Sequence, residues 1–244
     1  MAKPSPAQTR NASNKTIGEI VADDYRTARV FERHEIDFCC GGKVSLAETC
    51  KNKRIDFTVI SDELEAVRIE ALERAKNHAS WELPFLADYI INIHHSYLKD
   101  NINQLSAYIR KIAAVHGELH PEVKEISKIF DKVEVDLMIH MQKGEEETLF
   151  PAIKRAAGTA KEGMTPNPKD REIIKNSVIS LSLEHEDIGE AIHTIRRLSK
   201  DYAIPDNVCN TFVLTYQKLK EFEEDLHKHV HLENNILFLK ATQL

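Results

Sequence analysis

The chain has 244 residues, of which 42% are hydrophobic and 30% charged, with a formal net charge of −6. This length allows one or two domains, and only 8 Gly and 8 Pro favour an all-α protein over a sheet-rich one. The negative charge argues against nucleic acid as a partner, because polyphosphate binding needs a basic surface. The sequence lacks an apolar run long enough for a membrane span and the apolar core of a signal peptide. We therefore expect no membrane partner and a cytoplasmic location.

The N-terminal third predicts a flexible tail followed by a small helical domain. Residues 1–14 are polar and aperiodic, which is typical of a tail. A capping box of Thr16 and Glu19 then begins one or two short helices that end near His34. A glycine turn, another short helix from Ser45 and an amphipathic stretch from about residue 61 complete a predicted domain over residues 15–76.

The glycine turn carries two adjacent cysteines, Cys39 and Cys40, followed by Gly-Gly-Lys at 41–43. Backbone N–H groups and a lysine near these thiols would favour a reactive or metal-binding thiolate. An equally good interpretation is that Cys39 and Cys40 are simply two small buried residues in the turn. Cys50 and Cys209 are expected to be core residues.

Four long amphipathic segments follow between residues 80 and 244. The first starts near Ser80 with Pro84 at an early helical position, and the other three begin at or shortly after a proline. Four helices with one apolar stripe each predict a four-helix bundle. The stripes are Leu86, Ile90, Ile93, Tyr97, Leu105, Tyr108 and Ile112; Ile126, Ile129, Val133 and Leu137; Ile174, Val178, Leu181, Ile188, Ile192 and Ile195; and Val208, Phe212, Leu219, Phe222, Leu226 and Leu237.

Four of the 12 histidines fall on these stripes, one in each segment: His94, His140, His185 and His229. Burying polar side chains without partners is costly, so one inward imidazole per helix indicates a metal site. His95 is rotated about 100° from its neighbour in a regular helix, so we expect it to be exposed. The same is expected of His34, His78, His120, His193, His227 and His231.

Two glutamates complete the predicted site. Glu233 follows His229 by one helical turn. One turn after His140, however, the sequence has Gly144, and Glu145 lies about 140° from that histidine in a regular helix. A one-residue π-bulge would bring Glu145 to the metal.

The downstream apolar residues support this bulge. Leu149 and Ile153 lie four and eight residues after Glu145, so the stripe shifts by the same single residue. We predict Glu145 as the ligand, with Glu146 as the alternative; a solvated acidic face over 145–147 is the competing interpretation. Imidazole and carboxylate ligands suit iron, zinc, copper or nickel.

At this point the chain resembles the repair-of-iron-centres family of the YtfE and ScdA type. The resemblance runs from Thr16 to the end and is carried by DFCCGGK in the first domain and by EEETLFP, SLEHEDIGE and HVHLENNILF in the bundle. It implies a hemerythrin-like bundle with a small helical N-terminal domain in front of it. It also implies two iron ions, bridged by carboxylates and bound by His94, His140, Glu145, His185, His229 and Glu233.

The resemblance further implies a stress-induced protein that repairs iron-sulfur clusters damaged by nitric oxide or peroxide, by donating iron. Its partners would be damaged iron-sulfur proteins, bound transiently, with Cys39 and Cys40 assisting docking or transfer. Whether the protein forms a homodimer is left open by the sequence. The alternative is a sensor, carrier or reductase that binds nitric oxide or oxygen at the same di-iron site. A structural zinc bundle is disfavoured, because such zinc sites are usually rich in sulfur ligands.

Overall fold

The computed structural model of the chain describes residues 15–39, 41–69 and 78–244. These residues form helices and connecting turns without a β-strand, which confirms the all-α class. The predicted tail over 1–14 lies outside the described residues. None of the described helices combines the length and apolar content that a bilayer span requires.

The chain divides into two compact units. The first comprises Met1–Glu82 and Val230–Leu239, and the second comprises Leu83–His229 and Lys240–Leu244. The boundaries predicted for the two domains, 15–76 and 80–244, stay a prediction, because much of the predicted junction lies outside the described residues.

Short helices build the first unit: α1 (Ile17–Asp23), α2 (Ala28–Arg33), α3 (Leu46–Lys53) and α4 (Phe57–Ile69). The predicted capping box begins α1, since the Glu19 N–H donates to Thr16 Oγ1 at 3.2 Å and the Thr16 N–H donates to the Glu19 carboxylate at 2.8 Å. Ser45 caps α3 as predicted. Helix α4 begins at Phe57, four residues before the expected start, because the Asp56 side chain accepts a hydrogen bond from the Thr58 N–H.

Four long helices follow, as the stripes predicted: α5 (83–116), α6 (122–161), α7 (Pro168–Leu198) and α8 (210–241). Edge-to-face ring contacts in the second unit join α5 to α8 through His116 and Phe212, at 5.4 Å, and α6 to α8 through Phe130 and Phe222, at 5.5 Å. Three of the helices contain a π-helical segment: Ile90–His95 in α5, His140–Leu149 in α6 and Glu233–Leu237 in α8.

The π segment of α6 confirms the bulge predicted after His140. Gly144 lies within this segment, and both Leu149 and Ile153 are fully buried, as the shifted stripe requires. A Cβ atom on Gly144 would lie 2.6 Å from Leu181 Cδ2. The glycine therefore lets α7 pass close to α6 at the bulge.

The π segment of α5, Ile90–His95, was not predicted and changes the register of that helix. A π turn holds about one residue more than an α turn, so the inward face moves by one position. Ile93 is consequently 49% exposed, whereas Leu98 and Ile102 are fully buried. The expectation that Ile93 faces the core is wrong for this reason.

The bulge in α6 can be tested by changing the number of residues in it. Deleting Gly144 should leave the melting temperature within about 5 °C of wild type, because a regular α turn then keeps the downstream core residues in place. Inserting one alanine after Gly144 should instead rotate Leu149, Phe150 and Ile153 by about 100° out of the core.

Each of those three side chains is at most 1% exposed, and burial of each is worth about 1.5–3 kcal/mol. The insertion should therefore lower the melting temperature by about 10 °C or more, measured by circular dichroism on metal-free protein. Equal losses in the two variants would show that the extra residue does not set the register.

Candidate metal centre

Four imidazoles, each at most 1% exposed, meet in the interior of the second unit: His95 from α5, His140 from α6, His185 from α7 and His229 from α8. They form two facing pairs. The Nε2 atoms of His140 and His185 are 2.9 Å apart, and those of His95 and His229 are 3.1 Å apart. Imidazoles bind zinc at about 2.0–2.1 Å, so neighbouring ligands of one such ion lie about 3 Å apart. The spacing of both pairs fits a shared cation.

The carboxylate of Glu145 lies between the pairs and is fully buried. Its Oε2 is 3.2 Å from His95 Nε2 and 3.8 Å from His229 Nε2, and its Oε1 is 3.4 Å from His140 Nε2. At these ion-pair distances neither oxygen has the geometry of a hydrogen bond to any described residue. Burial raises the pKa of Glu145, but the three imidazoles more than reverse this and hold it well below its usual range. A buried anion with unused lone pairs fits a cation site.

Glu233 supplies the second carboxylate, fully buried and one turn after His229 in α8. Two groups of side chains have ligand atoms within 4.8 Å of one another: His95, Glu145, His229 and Glu233; and His140, Glu145, His185 and Glu233. The groups share both carboxylates and divide the four imidazoles. We call these six residues the His/Glu cluster.

The structure therefore brings together five of the six predicted ligands and places His95, instead of His94, beside them. The expectation that His95 is exposed is wrong, because the π segment turns it inward. His94 is 5% exposed, and its Nδ1 lies 3.1 Å from both carboxylate oxygens of Asp225. Its ring is parallel to that of His229 at a centroid distance of 6.3 Å. His94 thus packs behind the cluster.

Two further carboxylates hold cluster imidazoles from behind. His140 Nδ1 lies 2.9 Å from Glu184 Oε2, and His95 Nδ1 lies 2.6 Å from Glu146 Oε1. Lys99 also donates to Glu146, at 2.6 Å. These hydrogen bonds lower the pKa of Glu146, chiefly through His95, and that of Glu184, chiefly through His140. A proton held at Nδ1 leaves Nε2 free to bind a cation. Glu146, the alternative ligand, occupies this supporting position.

Other histidines expected at the surface are also buried, namely His78, His227 and His231. In the first unit the His231 ring contacts the edge of Phe38 at 5.7 Å. Burial and the nearby His78 lower the pKa of His231 to about 3, so this imidazole is neutral. For His227 and His231 the expectation failed because α8 buries residues on more than one face.

Of the two predicted thiols, Cys39 belongs to the described residues and Cys40 lies outside them. Cys39 is 4% exposed, and its thiol donates to Asp37 Oδ1 at 3.0 Å. Its role in docking or transfer stays a prediction. Cys209, expected in the core, is exposed, and its Sγ lies 3.1 Å from His116 Nε2. The proximity of Cys209 and His116 could not be predicted from the sequence, because 93 residues separate them.

The environment of Cys209 predicts a reactive thiol. Hydrogen bonding to His116, with help from the Phe212 N–H, lowers the pKa of Cys209 to about 7. The thiolate fraction rises with pH, so alkylation by iodoacetamide should reach half its maximal rate near pH 7. Mass spectrometry of the alkylated peptides measures this, with the buried Cys50 as a slow internal control.

In His116→Ala the midpoint should move up toward the value of a free cysteine, about 8.5. An unchanged midpoint in that variant would show that the imidazole does not activate the thiol.

Comparison with known proteins places this architecture in a family. A domain of unknown function, ScdA_N, matches residues 13–68, and the hemerythrin HHE cation binding domain matches residues 86–241. The iron-sulfur cluster repair protein ScdA of Staphylococcus epidermidis is 30% identical over 227 residues, covering 93% of this chain and 97% of that protein. The iron-sulfur cluster repair protein YtfE of Yersinia pestis is 28% identical over 228 residues, covering 93% and 96%. The chain belongs to the ScdA/YtfE family of iron-sulfur cluster repair proteins with a hemerythrin-like domain.

Proposed function

We propose that the His/Glu cluster holds two iron ions and that the protein donates iron to iron-sulfur clusters damaged by nitric oxide or peroxide. The observation that carries this proposal is the pair of facing imidazoles on each side of the Glu145 carboxylate. Bundles that combine histidines and glutamates from facing helices are suited to carboxylate-bridged di-iron sites. The repair function of the relatives supports the same use.

In this proposal each iron has its own pair of imidazoles. His140 and His185 would hold one ion, and His95 and His229 would hold the other. Glu145 and Glu233 would serve both ions, because both carboxylates belong to both groups of ligand atoms. Such ions, when bound, would be the iron available for donation.

His94 takes a positioning role in place of the predicted ligand role. Its parallel packing on His229 and its contact with Asp225 restrain the neighbouring ring. Loss of this contact should loosen His229 without removing a donor atom.

A surface cavity of about 380 Å³ supports a route for the iron. Three carboxylates, Asp136, Glu184 and Asp187, line it together with Lys132. Glu184 also accepts the hydrogen bond from His140, so it joins the cavity to the cluster. Clefts with an excess of one charge concentrate ions of the opposite sign, and this one favours cations.

The choice between adjacent histidines predicts different iron contents. Purified His95→Ala should lose the bridged di-iron absorption and Mössbauer signals and at least half of the iron, because a donor atom is removed. His94→Ala should keep the bridged pair. Iron analysis of both variants beside wild type makes the comparison. The reverse pattern would restore His94 as the ligand.

Iron donation predicts transfer of the metal itself. Wild-type protein loaded with isotopically labelled ferrous iron should restore an iron-sulfur enzyme damaged by nitric oxide, and the label should appear in the repaired cluster. Glu145→Ala should do neither, because the cluster loses a bridging carboxylate. Recovery without label in the enzyme would exclude donation. Consumption of nitric oxide without recovery would instead favour the nitric oxide reductase alternative.

A matched control separates iron storage from iron release. Asp136→Asn combined with Asp187→Asn should retain the bridged di-iron spectrum but transfer the label more slowly, because both substitutions remove charge from the cavity. Equal transfer rates would show that iron leaves by another route.

A further inference from the structure

A third group of metal-ligating side chains lies in the second unit, apart from the His/Glu cluster. Ligand atoms of His193 in α7 and of Glu223 and His227 in α8 lie within 4.8 Å of one another. His227 Nε2 is 3.7 Å from Glu223 Oε1, and the two imidazole rings are 5.9 Å apart. His193 follows His185 by eight residues, so it lies about 12 Å further along the helix.

Glu223 is the unusual member of this group, because its carboxylate is 1% exposed. Its Oε2 accepts a hydrogen bond from the Tyr202 hydroxyl at 2.8 Å and lies 3.6 Å from Arg196 Nε. Its Oε1, on the side of His227, makes no hydrogen bond to any described residue. Burial raises the pKa of Glu223, against the opposing charge of Arg196. One lone-pair-bearing oxygen is thus buried beside two imidazoles.

We propose that His193, Glu223 and His227 form a second, mononuclear site for a divalent transition metal ion, and that this site binds zinc more tightly than ferrous iron. Two imidazoles and one carboxylate are the donor set of open zinc sites, which keep a further position for water or an exchangeable ligand. His193 is only partly buried, so the group lies near the surface. Among such ions zinc binds more tightly than ferrous iron at nitrogen and oxygen ligands.

Neighbouring side chains balance the charge of the Glu223 carboxylate and fix its position. Arg196 and Tyr202 occupy one oxygen of Glu223 and hold the carboxylate in place, which leaves the other oxygen for the cation. Outer partners of this kind orient metal ligands. The site does not depend on the His/Glu cluster, because the two groups have no residue in common.

The test is a metal titration of the full-length, metal-free protein by calorimetry, with the absorption of bound Co²⁺ as a second readout. Wild type should bind three equivalents of Zn²⁺, and His193→Ala should bind two. His120→Ala, which removes another partly buried histidine, should still bind three. Titration with Fe²⁺ should show weaker binding of the third equivalent.

A second background isolates the proposed site. His140→Ala, His229→Ala and Glu145→Ala together remove one imidazole from each facing pair and one shared carboxylate, which disables the His/Glu cluster, and this triple variant should keep one Zn²⁺ equivalent. Adding Glu223→Gln, which keeps the shape of the side chain, should weaken that equivalent by more than about 100-fold, since even outer partners of ligands contribute about 10–100-fold.

The outcomes separate the two sites. If His193→Ala binds as many equivalents as wild type, the group is a hydrogen-bonded network only and the proposal is wrong. If wild type binds only one equivalent and His193→Ala none, the second site stands and the di-iron proposal fails. Thermal unfolding of each variant confirms that the bundle is folded before titration.

Discussion

The buried negative charge of Glu145 is the constraint around which the bundle is organised. A carboxylate without exposure to water costs several kcal/mol unless opposite charge or hydrogen bonds compensate it. Here imidazoles from three helices approach its two oxygens, and a fourth faces His140. Imidazoles and carboxylates thus stand where apolar side chains would otherwise complete the core at this level, and this buried polar set fits a cation site.

The ligands and the apolar core residues need the same inward-facing positions of each helix. The π-helical segments make room for both. A regular helix advances about 100° per residue, so inward histidines and inward leucines compete for the same positions. One extra residue per bulge lets the stripe continue on the other side of the ligands. The segments begin or end on cluster residues: Ile90–His95, His140–Leu149 and Glu233–Leu237. Such bulges are frequent at functional sites.

The proposed donation requires a centre that holds iron and also releases it, and the carboxylates behind the cluster bear on both requirements. Glu146 is fixed by Lys99, whereas Glu184 opens onto an acidic surface cavity. The two facing imidazole pairs are therefore supported differently, one through the partly buried ion pair of Lys99 and Glu146 and one through the more exposed carboxylate of Glu184. This difference makes the His140 side the natural exit for an ion in the proposed donation.

The sequence by itself determined the four helices and, through Gly144 and the stripe beyond it, the bulge that turns Glu145 inward. Only the tertiary structure decided between His94 and His95. Counted forward from Ile90, the stripe of α5 selects His94; counted backward from Leu98, with its alternating steps of four and three, it selects His95. No inserted glycine marks where the register changes, so both agree with the sequence. Packing against the other helices places the change within the π segment, because the core residues on both sides must be buried together.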